Sequence, residues 1–274
     1  MDQTAHPPET VEGWYALHQL FTFDRPALRA VAADELERWR ESAVCALREI
    51  AGSPGAGWSA GAGVVGSRAD LMLIHFRPTL DEIGVAQRRL QREPFFDFLR
   101  PAYSFLSVTE AALYHATAEL AKAAEARGGN VGDAAFERAM AERVEAELAS
   151  AHVQRRLYPP LPTDMPYVCF YPMSKKRESG QNWYALPLTE RSALMQSHGL
   201  TGRKYAGRIM QVIAGAIGLD AWEWGVTLFA RDPLDFKKIV TEMRFDEASA
   251  KYATFGDFYV GRIESPEDWV QGLT

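Results

Sequence analysis

Strand-like alternation of apolar and polar positions gives way to helical spacing twice along this chain, in the same order each time. Residues 14–23 (WYALHQLFTF) are aromatic-rich and strand-like. Pro26 then opens a segment in which Leu28, Val31, Leu36, Trp39 and Leu47 recur at the spacing of a helix. A stretch rich in Gly, Ser and Ala, 52–66, predicts a loop or an irregular strand, and 70–76 (DLMLIHF) predicts a buried strand. Pro78 starts a second helix that runs to Gln91, and residues 105–114 predict one more strand.

The second half repeats the order. Strand 167–171 precedes a helix over about 189–198, strands 208–214 and 222–230, a helix over 233–243 and a strand over 255–263. The clearest echo sets LIHFRPTLDEIGVAQRRL, from Leu73, beside VTLFARDPLDFKKIVTEM, from Val226; both read as strand, Arg, Pro at the first helical position, then amphipathic helix. Each half is therefore βαββαβ, the ferredoxin-like order, and the fold class is α+β: two such repeats, packed sheet to sheet, form a dimeric α+β barrel-type subunit. The expected organisation is a first repeat over 1–115, a helical insertion and linker over 116–163 broken by Gly128-Gly129-Asn130, and a second repeat over 164–274.

Composition narrows the partners. At 274 residues, 47% hydrophobic and 24% charged, the chain has ordinary globular values and enough length to bury a real core. A net charge of −6 supplies no global basic field for a polyphosphate backbone, so nucleic acid is excluded as the expected partner and any anion site must be local. Cys45 and Cys169 lie far apart with no CxxC spacing, which argues against zinc, iron–sulfur ligation and a disulfide framework and favours a reducing cytoplasm. The first ten residues carry no apolar signal core, and no apolar run is long enough to span a bilayer.

Candidate chemistry concentrates between Tyr167 and Ile263, where a histidine, an oxidisable tyrosine and several carboxylate-binding donors occur together. A cavity between a half-sheet and its helices can hold a flat macrocycle, and such a ligand needs an axial donor. His198 suits that role because it ends a predicted helix just before Gly199, a capping position that lets the imidazole point off the helix. A histidine there is equally served by the negative end of the helix dipole. His18, His75, His115 and His152 have no matching partners and read as structural or exposed.

The runs CFYPMSKKR, NWY, SHGLTGRKYAG, EWGVTLF and EMRFDEASAKY, in that order, resemble the coproheme decarboxylase branch of the chlorite dismutase superfamily, densely in the second half and by architecture alone in the first. The resemblance implies that His198 is the proximal iron ligand and that Gln211 occupies the distal position. Chlorite-degrading relatives carry an arginine there, whose fixed charge a neutral Gln cannot supply. It implies further that Tyr171 is the radical-forming tyrosine and that Lys175 and Ser249 bind propionates. Arg203 and Arg156 are expected carboxylate partners, with Arg155 an equal candidate to Arg156 in RRLYPPLPTDMPY. Met173 and Trp183 lie near the pocket or serve packing, and Glu242 or Glu247 is expected to hydrogen-bond the far nitrogen of His198.

The implied reaction is oxidative decarboxylation of propionates 2 and 4 of iron coproporphyrin III (coproheme) to give haem b, driven by hydrogen peroxide through a tyrosyl radical. Four propionates call for an excess of donors, and Lys175, Lys176, Arg177, Arg203, Lys204 and Arg208 are expected to cluster round the pocket. The same resemblance implies a cytoplasmic homopentamer in transient contact with a coproporphyrin ferrochelatase. Two other readings use the same pocket: a haem-binding carrier or sensor in which Tyr171 is structural, and residual chlorite or peroxidase chemistry.

Overall fold

The computed structural model describes residues 6–52, 55–66 and 68–272, so residues 1–5 of the polar N-terminus and the outermost ends of the expected repeats lie outside it. The first repeat runs β1 (Thr10–Phe23), α1 (Arg25–Arg29), α2 (Ala33–Ile50), β2 (Trp58–Val64), β3 (Leu71–Arg77), α3 (Leu80–Gln91) and β4 (Leu99–Ala112). Three helices follow: α4 (Tyr114–Ala126), α5 (Ala134–Leu148) and α6 (Ala151–Leu157). The second repeat runs β5 (Tyr167–Lys175), α7 (Leu188–Arg203), β6 (Ile209–Gly215), β7 (Trp224–Ala230), α8 (Leu234–Met243), α9 (Glu247–Ala250), β8 (Ala253–Phe255) and β9 (Tyr259–Glu264), before a closing α10 (Pro266–Gln271).

Both halves show the ferredoxin-like strand order, β4-β1-β3-β2 and β9-β5-β7-β6. Their edges also pair. β2 meets β9 from Gly61↔Glu264 to Val64↔Gly261, and β4 meets β6 at Val108↔Gly215 and Thr109↔Ala214. The β5–β7 pairing completes a closed ring, so no long edge strand is left on either half-sheet. Among the described residues β8 pairs only with the far end of β5.

Period-two alternation then sorts side chains into two compartments. Inward-facing residues, among them Leu20, Trp58, Met72, Ile74, Phe76, Phe105, Val168, Phe170, Val212 and Phe229, fill the barrel. Here Gly225 of EWGVTLF is obligatory: a Cβ would lie 2.6 Å from a ring carbon of Phe105. Outward-facing Phe21, Leu71 and Leu73 of the first half are sealed by Leu47, Leu90, Phe95 and Trp269.

Several expected boundaries shift for local reasons. Pro78 is not the first helical residue, because Thr79 is the cap and its hydroxyl accepts the Glu82 N–H; Pro233 likewise caps α8 instead of opening it. The long helix expected from Pro26 splits into α1 and α2 at Ala30–Ala32, and the strand expected to reach Tyr114 stops at Ala112. The helix expected to end at His198 continues to Arg203, since Gly199 keeps ordinary helical backbone and the cap falls at Lys204.

Two histidines, expected to be structural or exposed, are fully buried. His18 stacks on Phe170 inside the barrel (4.2 Å between centroids), with Nε2 2.9 Å from the Thr227 hydroxyl. His75 faces the α2–α3 layer with Nδ1 2.7 Å from the Ser59 hydroxyl. Burial pushes both down to about 3, with help from His75 at His18 and from Arg77 at His75. Each stays neutral in the folded chain to about pH 3, whereas the unfolded chain takes a proton below about 6.5. Their contribution is therefore complete above about pH 6.5 and lost as pH falls toward 3. Urea unfolding should show the chain roughly 3–4 kcal/mol less stable at pH 5 than at pH 7 from this pair; equal stabilities would refute the assignment.

Candidate functional site

The second half-sheet is covered less completely than the first. Its outer face carries Cys169, Tyr171 and Met173 on β5, Val226 and Leu228 on β7, and Ile209, Gln211 and Ile213 on β6. α8 buries Phe236 and Ile239 against this face. α7, by contrast, buries only Leu188, Arg191 and Ser192, so Met173, Gln211, Ile213 and His198 all remain half-buried. Pairing in the rows Tyr171–Val226–Ile213 and Cys169–Leu228–Gln211 sets Tyr171 and Gln211 on one face, two strands apart. That is about 10 Å of sheet.

His198 stands on α7 with Nδ1 2.8 Å from Oδ2 of Asp246, a nearly buried carboxylate. The expected partners were Glu242 or Glu247, and the structure corrects both: Glu242 accepts from the Tyr205 hydroxyl and Lys204, and Glu247 pairs with Lys251. Asp246 reaches His198 because it is the N-cap of α9, where its side chain also accepts the Ser249 N–H. A carboxylate on Nδ1 fixes the proton there and leaves Nε2 a lone pair, which has no protein hydrogen bond among the described residues.

Lys175, at the end of β5, lies beside this pair. Its ammonium donates to the Ala248 carbonyl (3.1 Å) and sits 3.9 Å from the centre of the Trp183 ring. Burial lowers it to about 8, against the opposing pull of Asp246 and Glu223. Ser249, buried one residue beyond Ala248, closes the same corner. The structure thus brings His198, Lys175 and Ser249 together through the single turn 246–249.

Tyr171 is buried with its ring stacked on Phe258 (4.3 Å). Burial first, and Cys169 second, push its phenol above the ordinary range, with Arg244 opposing; it stays protonated at any ordinary pH. Gln211 points its amide oxygen toward Gly202 on α7, 3.9 Å from where a Cβ would stand, and Gly202 lies one helical turn beyond His198. Arg203 is exposed. Arg156 is half-buried near Glu110, while Arg155 is exposed.

The expected cluster of six cations is smaller than its sequence suggests. Arg177 pairs with Glu223, Lys204 with Glu242 and Arg208 with Asp235, and Lys176 donates to Gln181. Only Lys175 and Arg203 of the six are without a side-chain acceptor among the described residues. The acidic partners of Arg177, Lys204 and Arg208 are 27 to 46 residues away in sequence and adjacent only in the fold.

This donor set suits a metalloporphyrin better than a bare ion. No group of three His, Cys, Asp or Glu among the described residues could hold a metal. One imidazole with a carboxylate behind it serves an iron whose remaining ligands come from a macrocycle. The half-covered apolar face offers a surface for such a ring, and Lys175 and Ser249 lie at the turn beside the His198–Asp246 pair. Sequence reasoning missed Asp246 and Glu223; the cap pattern of FDEAS carried a signal for the first, and nothing local marked the second.

The chlorite dismutase family profile matches residues 40–264. A coproheme decarboxylase of Staphylococcus saprophyticus subsp. saprophyticus is 40% identical over 263 residues, 95% of this chain and 96% of that one. A solved haem-binding protein from Thermus thermophilus superposes with a TM-score of 0.81 at 40% identity, covering 97% of each chain. A chlorite dismutase mutant from Candidatus Nitrospira defluvii superposes at 0.71 with 17% identity over 96% of each, a likeness of fold.

Proposed function

Since the chain belongs to the chlorite dismutase family, on its coproheme decarboxylase branch, we propose that it converts coproheme to haem b by oxidative decarboxylation of propionates 2 and 4 with hydrogen peroxide. The observation that carries this reading is the His198–Asp246 pair, formed between α7 and the cap of α9, set beside Ser249 and beside Lys175 of β5, the strand that also carries Tyr171. No helix among the described residues is long and apolar enough to cross a membrane.

Coproheme is the substrate and brings the iron at which peroxide is reduced. His198 would hold that iron through Nε2, its donor strength raised by Asp246. Lys175, Ser249, Arg203 and Arg156 would hold propionates, and Met173 stands between Tyr171 and Lys175 on β5. Gln211 can hydrogen-bond peroxide but lacks the positive charge that would retain an oxyanion. Tyr171 begins as a neutral phenol, so its oxidation releases one electron and one proton together. The resulting radical takes a hydrogen atom from a propionate β-carbon. Loss of a second electron and carbon dioxide leaves the vinyl group, so each propionic acid and each H2O2 yield one vinyl, one CO2 and two waters.

The same reading carries a cytoplasmic homopentamer that receives coproheme from a coproporphyrin ferrochelatase. Mixing the purified protein with ferric coproheme and adding peroxide in steps should give two successive losses of one carboxyl unit in the porphyrin mass. Bound coproheme of unchanged mass would favour a carrier instead, and oxygen release on adding chlorite to the haem-loaded protein would revive chlorite chemistry.

A further inference from the structure

Glu223, at the mouth of β7, has no role in the proposed reaction, yet it is one of the most heavily used carboxylates in the structure. Its side chain is 5% exposed. One oxygen accepts the backbone N–H of Lys175 (2.7 Å), and the other takes the guanidinium of Arg177. The Tyr184 hydroxyl bonds to it as well. Its own N–H donates to the Ser174 hydroxyl and the Met173 carbonyl, so its backbone is stitched to the same end of β5.

Arg177 and Tyr184 belong to the strap 176–187 that leads from β5 into α7. The strap is tied at its start by the Lys176 N–H to the Tyr252 carbonyl and folded back on itself by the Trp183 N–H to the Lys176 carbonyl. It delivers Trp183, 1% exposed, onto Tyr252 and Ala248, and the ammonium of Lys175 rests over that indole. A buried acid with three donors from one short stretch is costly unless each donor is held in place. Here the donors are the start of the Lys175 stem and the two side chains flanking the Trp183 platform.

We propose that Glu223 is the positioning residue of the propionate grip: it fixes where the Lys175 side chain starts, holds the strap that carries the Trp183 platform, and places a negative charge behind the ammonium. The proposal rests on the reading of Lys175 as a propionate donor. Burial works against the charged ammonium, and two carboxylates oppose that burial. Asp246 does so from the α9 cap, already engaged by His198 of α7, and Glu223 does so from β7, shared with Arg177 and Tyr184 of the strap. Glu223 is thus the charge whose strength the strap can tune.

The test is binding of iron-free coproporphyrin III, followed by porphyrin fluorescence from pH 6 to 10, which reads the propionate grip without the metal or turnover. In the wild type, affinity should begin to fall near pH 8 as Lys175 loses its proton. In Glu223→Gln that fall should begin about one pH unit lower, because an opposing charge has been removed. In Arg177→Met it should begin higher, because Glu223 is then less neutralised. Damage to the fold would move both variants in the same direction; opposite displacements support the proposal. An unchanged limb in Glu223→Gln overturns it, and so does an unchanged limb in Arg177→Met, which decides the matter if the glutamine variant does not fold. If Lys175→Met keeps the wild-type limb, the reading of Lys175 itself fails, a result separable from either.

Discussion

Tyr171→Phe should bind coproheme as the wild type does and release no vinyl product. The ring is held by its stack on Phe258 and by the apolar cluster with Val226 and Phe236. No hydrogen bond to its hydroxyl is made by the described residues, so removing that oxygen costs the fold little. What disappears is the hydroxyl that, on this reading, gives up a hydrogen atom and later takes one back. Vinyl formation should fall by more than about two orders of magnitude, about 3 kcal/mol of lost transition-state stabilisation, with the thermal midpoint and coproheme affinity essentially unchanged. Tyr205 is the alternative carrier. It is buried in the same cluster, and its hydroxyl donates to Glu242, which is a ready proton acceptor. Wild-type turnover in Tyr171→Phe that is abolished by adding Tyr205→Phe would move the radical from β5 to the end of α7 and refute the role given to Tyr171.

The βαββαβ repeat was legible because strands and helices alternate with different periods, and because sheet edges need partners whatever the sequence at their ends. Boundaries were less legible. Gly199 looks like a helix stop, yet nothing at that point asks for a left-handed backbone, and α7 runs on for another turn. The extra turn matters, since it places Gly202 rather than a loop opposite Gln211.

At the site, motifs could nominate candidate residues, whereas the pairings those residues make could not be read from them. Glu242 and Glu247 flank Asp246, and choosing between the two glutamates by charge alone could not succeed. The deciding feature is that Asp246 is a helix cap, which turns its carboxylate toward α7. Likewise KKR suggests three free cations, but Glu223 arrives from β7 to bind one of them, and only strand pairing puts β7 there. Long-range acid–base pairs of this kind leave no periodic trace along the chain.

His198→Ala and Asp246→Asn should separate the metal's share of binding from that of the propionates. Iron-free coproporphyrin III would meet only the rim and the apolar face, so at pH 6, well below the range in which Lys175 loses its proton, both variants should bind it as the wild type does. Ferric coproheme would add the bond to Nε2, and its affinity relative to the iron-free ligand isolates that bond. In His198→Ala this ratio should collapse toward one, with loss of the nitrogen-ligated absorption spectrum and severe loss of peroxide-driven turnover. In Asp246→Asn the imidazole stays in place, because an amide oxygen still accepts its Nδ1 proton, but the charge that strengthens Nε2 is gone; a loss of about 10–100-fold is expected for a partner of this type. Asp246→Asn should therefore lie between the wild type and His198→Ala in both the ratio and the spectrum. If His198→Ala instead retains the wild-type ratio and spectrum, another residue binds the iron. The carboxylate behind His198 would then be no more than a cap for α9.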